Sequence, residues 1–252
     1  MKLNADIGES YGKWTMGNDS DIMPLVDQAN IACGYHAGDA LTMQNTISLA
    51  AKHAVEVGAH VSYPDLQGFG RRSMQLSSDE LIAMIHAQIA TLEGMAKCQS
   101  AKIGFVKPHG AMYNDMMQQP ALFESIVMAL ASYHCRYDLV IQALPDVSIF
   151  CSTAAKHNIP LRFEGFADRG YTASGFLVSR DKPKAVLSET QSLFQASAMI
   201  NGDAFLSECG NALALHIDTI CVHSDTPDSL ILCRKIRSLI SKQVSTKSVH
   251  TS

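Results

Sequence analysis

At 252 residues and 47% hydrophobic content, the chain can bury a large core and suits one large α/β domain or two small ones. A formal charge of −4 gives no electrostatic footprint for nucleic acid or an anionic membrane, so neither is an expected partner. Charged residues make up only 17%, low for a lone monomer, which points to surface covered by a partner or a second copy in a homo-oligomer.

The seven cysteines are scattered and form no Cys-x-x-Cys, which argues against a structural zinc site or a disulfide framework. Cys33, Cys221 and Cys233 lie in apolar runs, where a free thiol acts as a small core residue. The opening MKLNADIGES has no basic-then-apolar leader pattern, and no apolar run approaches about 18 residues. A reducing cytoplasm is the expected compartment.

Along the chain one unit recurs: a short apolar run, a polar cluster, then a helical pattern. The first, "KLNADIGE", brings Asn4, Asp6 and Glu9. "QANIACGYHAGD" brings Asn30, His36 and Asp39, with a helix from Thr42 to His53. "VEVGAHVSYPD" brings His60, Tyr63 and Asp65, and "GFGRR" adds Arg71 and Arg72. Ser77-x-x-Glu80 is a capping box opening a helix through Leu81, Ile85, Ile89 and Leu92. "GFVKPHGAMYND" brings Lys107, His109, Tyr113 and Asn114, and Gln119-Pro120 starts a further helix. "LVIQALPD" gives little beyond Gln142. "PLRFEGFADRGY" brings Glu164, Asp168 and Arg169, and Asp181-Lys182-Pro183 reads as the next helix start. "AFLSECGNALAL" breaks the pattern as a small hairpin near 204–215, turning at Cys209-Gly210-Asn211. "TICVHSDTPD" brings His223 and Asp225, and Thr226-Pro227 opens the last helix.

Strands alternating with helices imply parallel strands joined by crossovers. Such units close either as an open doubly wound sheet or as a barrel, and periodicity alone does not separate the two. Polar clusters after six of the seven strands favour the barrel, where every C-terminal strand end faces one mouth. No linker divides the chain, so residues 1–240 are expected to form one domain and 241–252 a flexible polar tail.

Any one histidine past a strand is more often structural than catalytic, and Asp6 or Asp225 could simply cap a helix. Capping does not explain Lys107 beside His109, or Asp168 beside Arg169. Opposite charges at one mouth shift each other's pKa values, as acid–base work requires. The catalytic candidates are therefore Asp6, Glu9, His36, His60, Lys107, His109, Asp168, His223 and Asp225. Substrate-binding candidates are Asn4, Asn30, Arg71, Arg72, Tyr113, Glu164 and Arg169. Packing is the plainer reading for Tyr113 and Tyr171, and Glu164 also suits a buried partner for Arg162 or Lys107. No P-loop, His-Glu-x-x-His or Gly-x-Ser-x-Gly occurs. Four histidines on separate strands leave a divalent metal open as an alternative, with no local ligand spacing to support it.

"NADIGE", "NIACGYHAGD", "GFGRR", "KPHGAMYN", "FADRGY" and "ICVHSDTP" together resemble the LamB/YcsF family, from residue 1 to about residue 237. The resemblance implies an irregular seven-stranded β/α barrel similar to that of polysaccharide deacetylases. It also implies one component of a bacterial 5-oxoprolinase, working with subunits B and C. Such a complex opens 5-oxo-L-proline to L-glutamate with ATP as co-substrate, and contact between ATP and this chain is left open. In that chemistry Asp6 or Asp168 would activate water, Lys107 would stabilise charge, and His109 or His223 would protonate nitrogen. Arg71, Arg72 or Arg169 would grip the substrate carboxylate. The chain has Ala5 where the family commonly has Cys, Val61-Ser62 for Pro-Gly, and Ser224 for Gly, all expected at the rim. Two rival readings are a metal-dependent amide hydrolase of the deacetylase type and a non-catalytic metabolite-binding scaffold.

Overall fold

The computed structural model describes residues 1–180, 182–222 and 229–249, with side chains as far as residue 243. Nine strands occur among them: β1 (Lys2–Ile7), β2 (Gln28–Ala32), β3 (Glu56–Val61), β4 (Ile103–Pro108), β5 (Asp138–Gln142), β6 (Leu161–Phe166), β7 (Phe205–Leu206), β8 (Ala212–Leu213) and β9 (Thr219–Val222). The helices are α1 (Asp19–Ile22), α2 (Ala40–Lys52), α3 (Ser78–Lys97), α4 (Gly110–Gln118), α5 (Pro120–Ser132), α6 (Ser148–Lys156), α7 (Glu189–Asn201) and α8 (Ser229–Val249). Seven parallel strands close a barrel in the order β1-β2-β3-β4-β5-β6-β9, with β9 pairing both β6 and β1. β7 and β8 form the small antiparallel hairpin the sequence anticipates.

The barrel wall alternates with period two, and the two faces differ in chemistry. Leu3, Ala5 and Ile7 of β1, and Ala29 and Ile31 of β2, belong to the apolar core shared with the helices. The alternate residues meet one another inside. Asn4 donates to Thr219 Oγ1 at 2.9 Å, and Asn30 donates to Asn4 Oδ1 at 2.8 Å. Barrel interiors of this class are usually filled by layers of branched apolar side chains. Here the filling is polar, and hydrogen bonds and ion pairs among these side chains offset part of the cost of burying it.

At the N-terminal end of the barrel, Arg162 makes a forked contact with Glu56, through Nη1 at 3.0 Å and Nη2 at 2.8 Å. Its Nε reaches Asp138 at 2.7 Å, while Gln28 and Lys2 complete the ring around Glu56 at 3.0 and 2.9 Å. Phe105 fills the space above, its ring 5.0 Å from the Arg162 guanidinium. That ring requires Gly58 opposite, because a Cβ there would lie 2.1 Å from a Phe105 carbon. The floor of the barrel is thus closed by Arg162, Glu56 and Phe105.

Helix starts follow their chemistry. Ser77 and Glu80 form the expected capping box of α3, and Pro120 occupies the first turn of α5. The expected start at Asp181-Lys182-Pro183 is not a helix: residues 182–185 turn, and Asp181 lies outside the described residues. α7 instead begins after a second capping box, Ser188 with Gln191, which satisfies both terminal N–H groups where Pro183 could satisfy none. The expected N-cap at Thr226-Pro227 also lies outside the described residues. α8 continues to Val249, past the point where a flexible tail is expected. Ile240 is buried, Arg237 donates to Asp27 at 2.7 Å, and Gln243 bonds the Ile200 carbonyl, so tertiary contacts anchor α8 as far as Gln243.

Candidate active site

Inward residues toward the C-terminal ends of six barrel strands carry the chemistry. Asp6 lies near the end of β1, Asn30 on β2, His60 on β3, Lys107 on β4, Glu164 on β6 and Cys221 on β9. In-register pairing sets Asp6 beside Asn30, and His60 beside Lys107. Their side chains therefore gather inside the C-terminal half of the barrel, Asp6, His60 and Lys107 uppermost.

Lys107 is the hub. Its ammonium lies 2.9 Å from Asp6 Oδ1 and 2.8 Å from Glu164 Oε1, with Asn4 Oδ1 at 3.4 Å and Cys221 Sγ at 3.3 Å. Burial opposes the charge, but the carboxylates of Asp6 and Glu164 more than offset it and hold the ammonium protonated well above its ordinary range. Asn30 donates a further bond to Asp6 Oδ1 at 2.7 Å, which leaves Oδ2 directed at His60 Nε2, 3.4 Å away. Tyr113 is buried beside Glu164, and burial with that carboxylate pushes its phenol well above the ordinary range. It acts as a neutral hydroxyl. Cys221 is likewise pushed up, chiefly by burial, and is no thiolate nucleophile.

Three imidazoles sit against this hub. His36 and His109 stack with centroids 3.8 Å apart, and His60 meets them edge-on at 5.3 and 4.8 Å. Burial first, then the neighbouring imidazoles, keep His36 and His109 well below the usual histidine range and hence neutral. Glu9, also buried, approaches His36 Nε2 at 3.3 Å and His109 Nδ1 at 3.7 Å. The "GFGRR" loop closes over the rings. Gly70 is required there, since its φ is +64° and a Cβ would lie 2.8 Å from His109 Cδ2.

Above the hub is a cleft in two parts. A small inner chamber is lined by Asp6, His60, Lys107, His109 and Tyr113. An outer cavity of about 280 Å³ shares Arg71, Gly110, Asn114 and Arg169 with it and adds Gln142 and Arg180. A larger, mainly apolar recess of about 670 Å³ beside Phe194 and Leu206 contains none of these strand-end acids or histidines, so chemistry assigns the site to the smaller cleft.

Several expected roles change. Arg72 does not line the cleft; it binds Asp65, whose buried carboxylate also accepts from Gly68 N at 2.9 Å and so braces the loop. Arg169 lines the cleft, but its Nε and Nη2 donate to the carbonyls of Ala185 and Val178 at 2.9 and 2.7 Å, holding the loop that follows. Burial and then the Arg180 cation lower its pKa to about 10. Asn4, Asn30 and Glu164 lie beneath the chamber and orient Asp6 and Lys107 rather than lining it. Asp168 is buried next to Arg169. His223, Ser224 and Asp225 lie outside the described residues. Ala5 is not at the rim, because it alternates with Asn4 and Asp6 and faces the apolar core. A cysteine there would not reach the chamber. Ser62 is fully buried and donates its N–H to Gln88 Oε1 at 2.8 Å. Arg180 is a cleft residue that the sequence does not mark: "LVSRDKP" reads as a helix approach and carries no motif for a cleft wall.

Comparison with known proteins places this geometry. The LamB/YcsF family pattern matches residues 1–251. The chain belongs to the LamB/YcsF family. Family relatives include the A subunit of 5-oxoprolinase from Pseudomonas fluorescens, 43% identical over 244 residues, 96% of this chain and 98% of that protein. The second 5-oxoprolinase A subunit of Pseudomonas putida is 45% identical over 241 residues, 95% of this chain and 93% of that one. Among solved structures, the lactam utilization protein of Thermus thermophilus superposes with a TM-score of 0.88 at 33% identity, covering 96% of each chain. An Enterococcus faecalis protein named for cellobiose-phosphate cleavage superposes with a TM-score of 0.54 over 99% of this chain and 93% of that one. At 12% identity it shows a shared fold alone.

Proposed function

We propose that this LamB/YcsF chain opens the lactam ring of 5-oxo-L-proline to L-glutamate, as one component of an ATP-coupled 5-oxoprolinase with subunits B and C. The observation that carries the reading is the buried Asp6–Lys107–Glu164 cluster beneath an arginine-walled cleft, in a chain whose relatives are named for 5-oxoprolinase and lactam utilization.

An unstrained lactam resists water because amide resonance protects its carbonyl. ATP-dependent phosphorylation of the amide oxygen, assigned here to the partner subunits, makes that carbon electrophilic. Water then adds to the carbon, and the adduct can collapse in two directions. Loss of phosphate regenerates the lactam; loss of nitrogen opens the ring and leaves an acyl phosphate, which a second water converts to glutamate and phosphate. The direction depends on delivering a proton to nitrogen as the C–N bond breaks.

Asp6 reaches the inner chamber with both its oxygens oriented. It takes the proton of the attacking water and returns it to the departing nitrogen. Lys107, locked in the charged form, stabilises negative charge on the adduct's oxygens. Arg71 and Arg180 on the outer wall provide cations for the substrate carboxylate and the phosphoryl group. The test is ATP-dependent glutamate release by the complex reconstituted with its partner subunits. Asp6→Asn is expected to lower it by roughly 10²–10⁴-fold, the usual worth of a general acid–base group. Undiminished release by Asp6→Asn, or release by the wild type without ATP, overturns the proposal.

A further inference from the structure

The three imidazoles and Glu9 have an arrangement that the ring-opening scheme does not require. We propose that Glu9, His36, His60 and His109 form a binding site for a divalent transition-metal ion of the zinc class. One ligand atom from each of the four lies within 4.8 Å of the others, and all four residues are buried.

The hydrogen bonds fix which nitrogens are available. His60 Nδ1 lies 2.9 Å from the Lys107 carbonyl, and His109 Nε2 lies 2.9 Å from the Phe69 carbonyl. A carbonyl only accepts, so His60 carries its proton on Nδ1 and His109 carries its proton on Nε2. The two remaining nitrogens, His60 Nε2 and His109 Nδ1, then face each other at 2.9 Å, each with a lone pair. Two lone pairs at that distance repel unless a cation lies between or beside them. Backbone carbonyls that pin the far nitrogen are also the usual outer support of metal-ligating histidines. The chain accepts strain to build one of these supports: Phe69 has φ +54°, in the left-handed region where a bulky side chain is disfavoured.

A shared proton would satisfy the His60–His109 pair but would use neither Glu9 nor His36. Both border the same pair. Glu9 Oε1 is within hydrogen-bond range of His36 Nε2 at 3.3 Å and 3.7 Å from His109 Nδ1, so the carboxylate lies beside the facing lone pairs. A tetrahedral ion with bonds of about 2.0–2.1 Å sets its donors roughly 3.4 Å apart. The observed separations of 2.9, 3.3 and 3.7 Å straddle that value. Three imidazoles and one carboxylate suit zinc better than magnesium or calcium, which prefer all-oxygen shells. His60 and His109 also line the inner chamber, so the ion would face whatever occupies it. There it would polarise a carbonyl oxygen or lower the pKa of a bound water. The site does not depend on the 5-oxoproline reading.

A second cluster, Glu93 with His134 and Cys135, serves as the internal control. Its carboxylate is already held by Lys97 at 3.0 Å and Tyr133 at 2.9 Å, and His134 is exposed. The experiment takes the full-length chain through chelator dialysis and titrates it with Zn²⁺, and separately with Co²⁺ read by visible absorption. One equivalent per chain is expected, with the intense absorption of low-coordinate cobalt bound through nitrogen. His60→Ala, His109→Ala and the near-isosteric Glu9→Gln should each weaken binding by at least about 10-fold, while His134→Ala retains it. Circular dichroism establishes that each variant is folded, and the wild-type titration stands apart from any variant that is not. A wild-type chain that binds no ion, or a site lost in His134→Ala and kept in His60→Ala, overturns the assignment.

Discussion

Replacing Lys107 with methionine removes the ammonium shared by two buried carboxylates while keeping most of the side-chain volume. In the native barrel that ammonium lies 2.9 Å from Asp6 and 2.8 Å from Glu164, and Lys107 is 3% exposed. Without it both acids stay buried with no ammonium to offset their charge. Breaking a buried pair in this way costs about 3–5 kcal/mol, against a total domain stability of roughly 5–15 kcal/mol. At about 2–4 °C per kcal/mol for a chain of this size, Tm should fall by roughly 6–20 °C. Urea unfolding gives the same quantity independently, as a lower midpoint at unchanged slope. Adding Glu164→Gln removes one of the two stranded charges and should restore part of the loss. A Lys107→Met protein that unfolds within about 1 kcal/mol of wild type would refute the hub described above.

Arg71 and Arg72 separate the cleft wall from the loop behind it. Arg71→Ala should raise the KM of the reconstituted complex for 5-oxoproline by roughly 10- to 100-fold, the worth of a charged hydrogen bond, while Arg72→Ala stays within about twofold. Equal effects of the two would show that neither side chain anchors the substrate. At the barrel floor, burial works against the Glu56 carboxylate, but Arg162 and Lys2 outweigh it and hold its pKa down to about 2, from 4.5. Because the folded value is depressed, its stabilisation is complete above about 4.5 and disappears as pH falls toward about 2. Glu56→Gln should therefore lose about 2 kcal/mol at neutral pH, and the difference from wild type should close over that acid window in denaturant titrations. A difference that widens toward acid would contradict the floor network.

Some of this molecule is written locally in its sequence. The capping box at Ser77 and Glu80, the proline start at Pro120 and the hairpin turn at Cys209–Asn211 all depend on residues a few positions apart. The clustering of acids, histidines and cations after six strands is legible for the same reason, since each cluster is contiguous. The polar filling of the barrel is legible too, in principle. Asn4 and Asp6 alternate with Leu3, Ala5 and Ile7, and Gln28 and Asn30 alternate with Ala29 and Ile31, a period-two signal that overall apolar content conceals.

What sequence alone determined is therefore the set of strand-end residues and the alternation that builds the wall. Tertiary structure decided which of them share a cavity. Arg71 and Arg72 are indistinguishable neighbours in the chain, yet one lines the cleft and the other is bound to Asp65, because a turn at Gly68–Gly70 directs them apart. Lys107 meets Asp6 across 101 positions and His109 meets His60 across 49. Barrel closure sets those distances, and closure is a property of the whole ring of strands that no local stretch encodes.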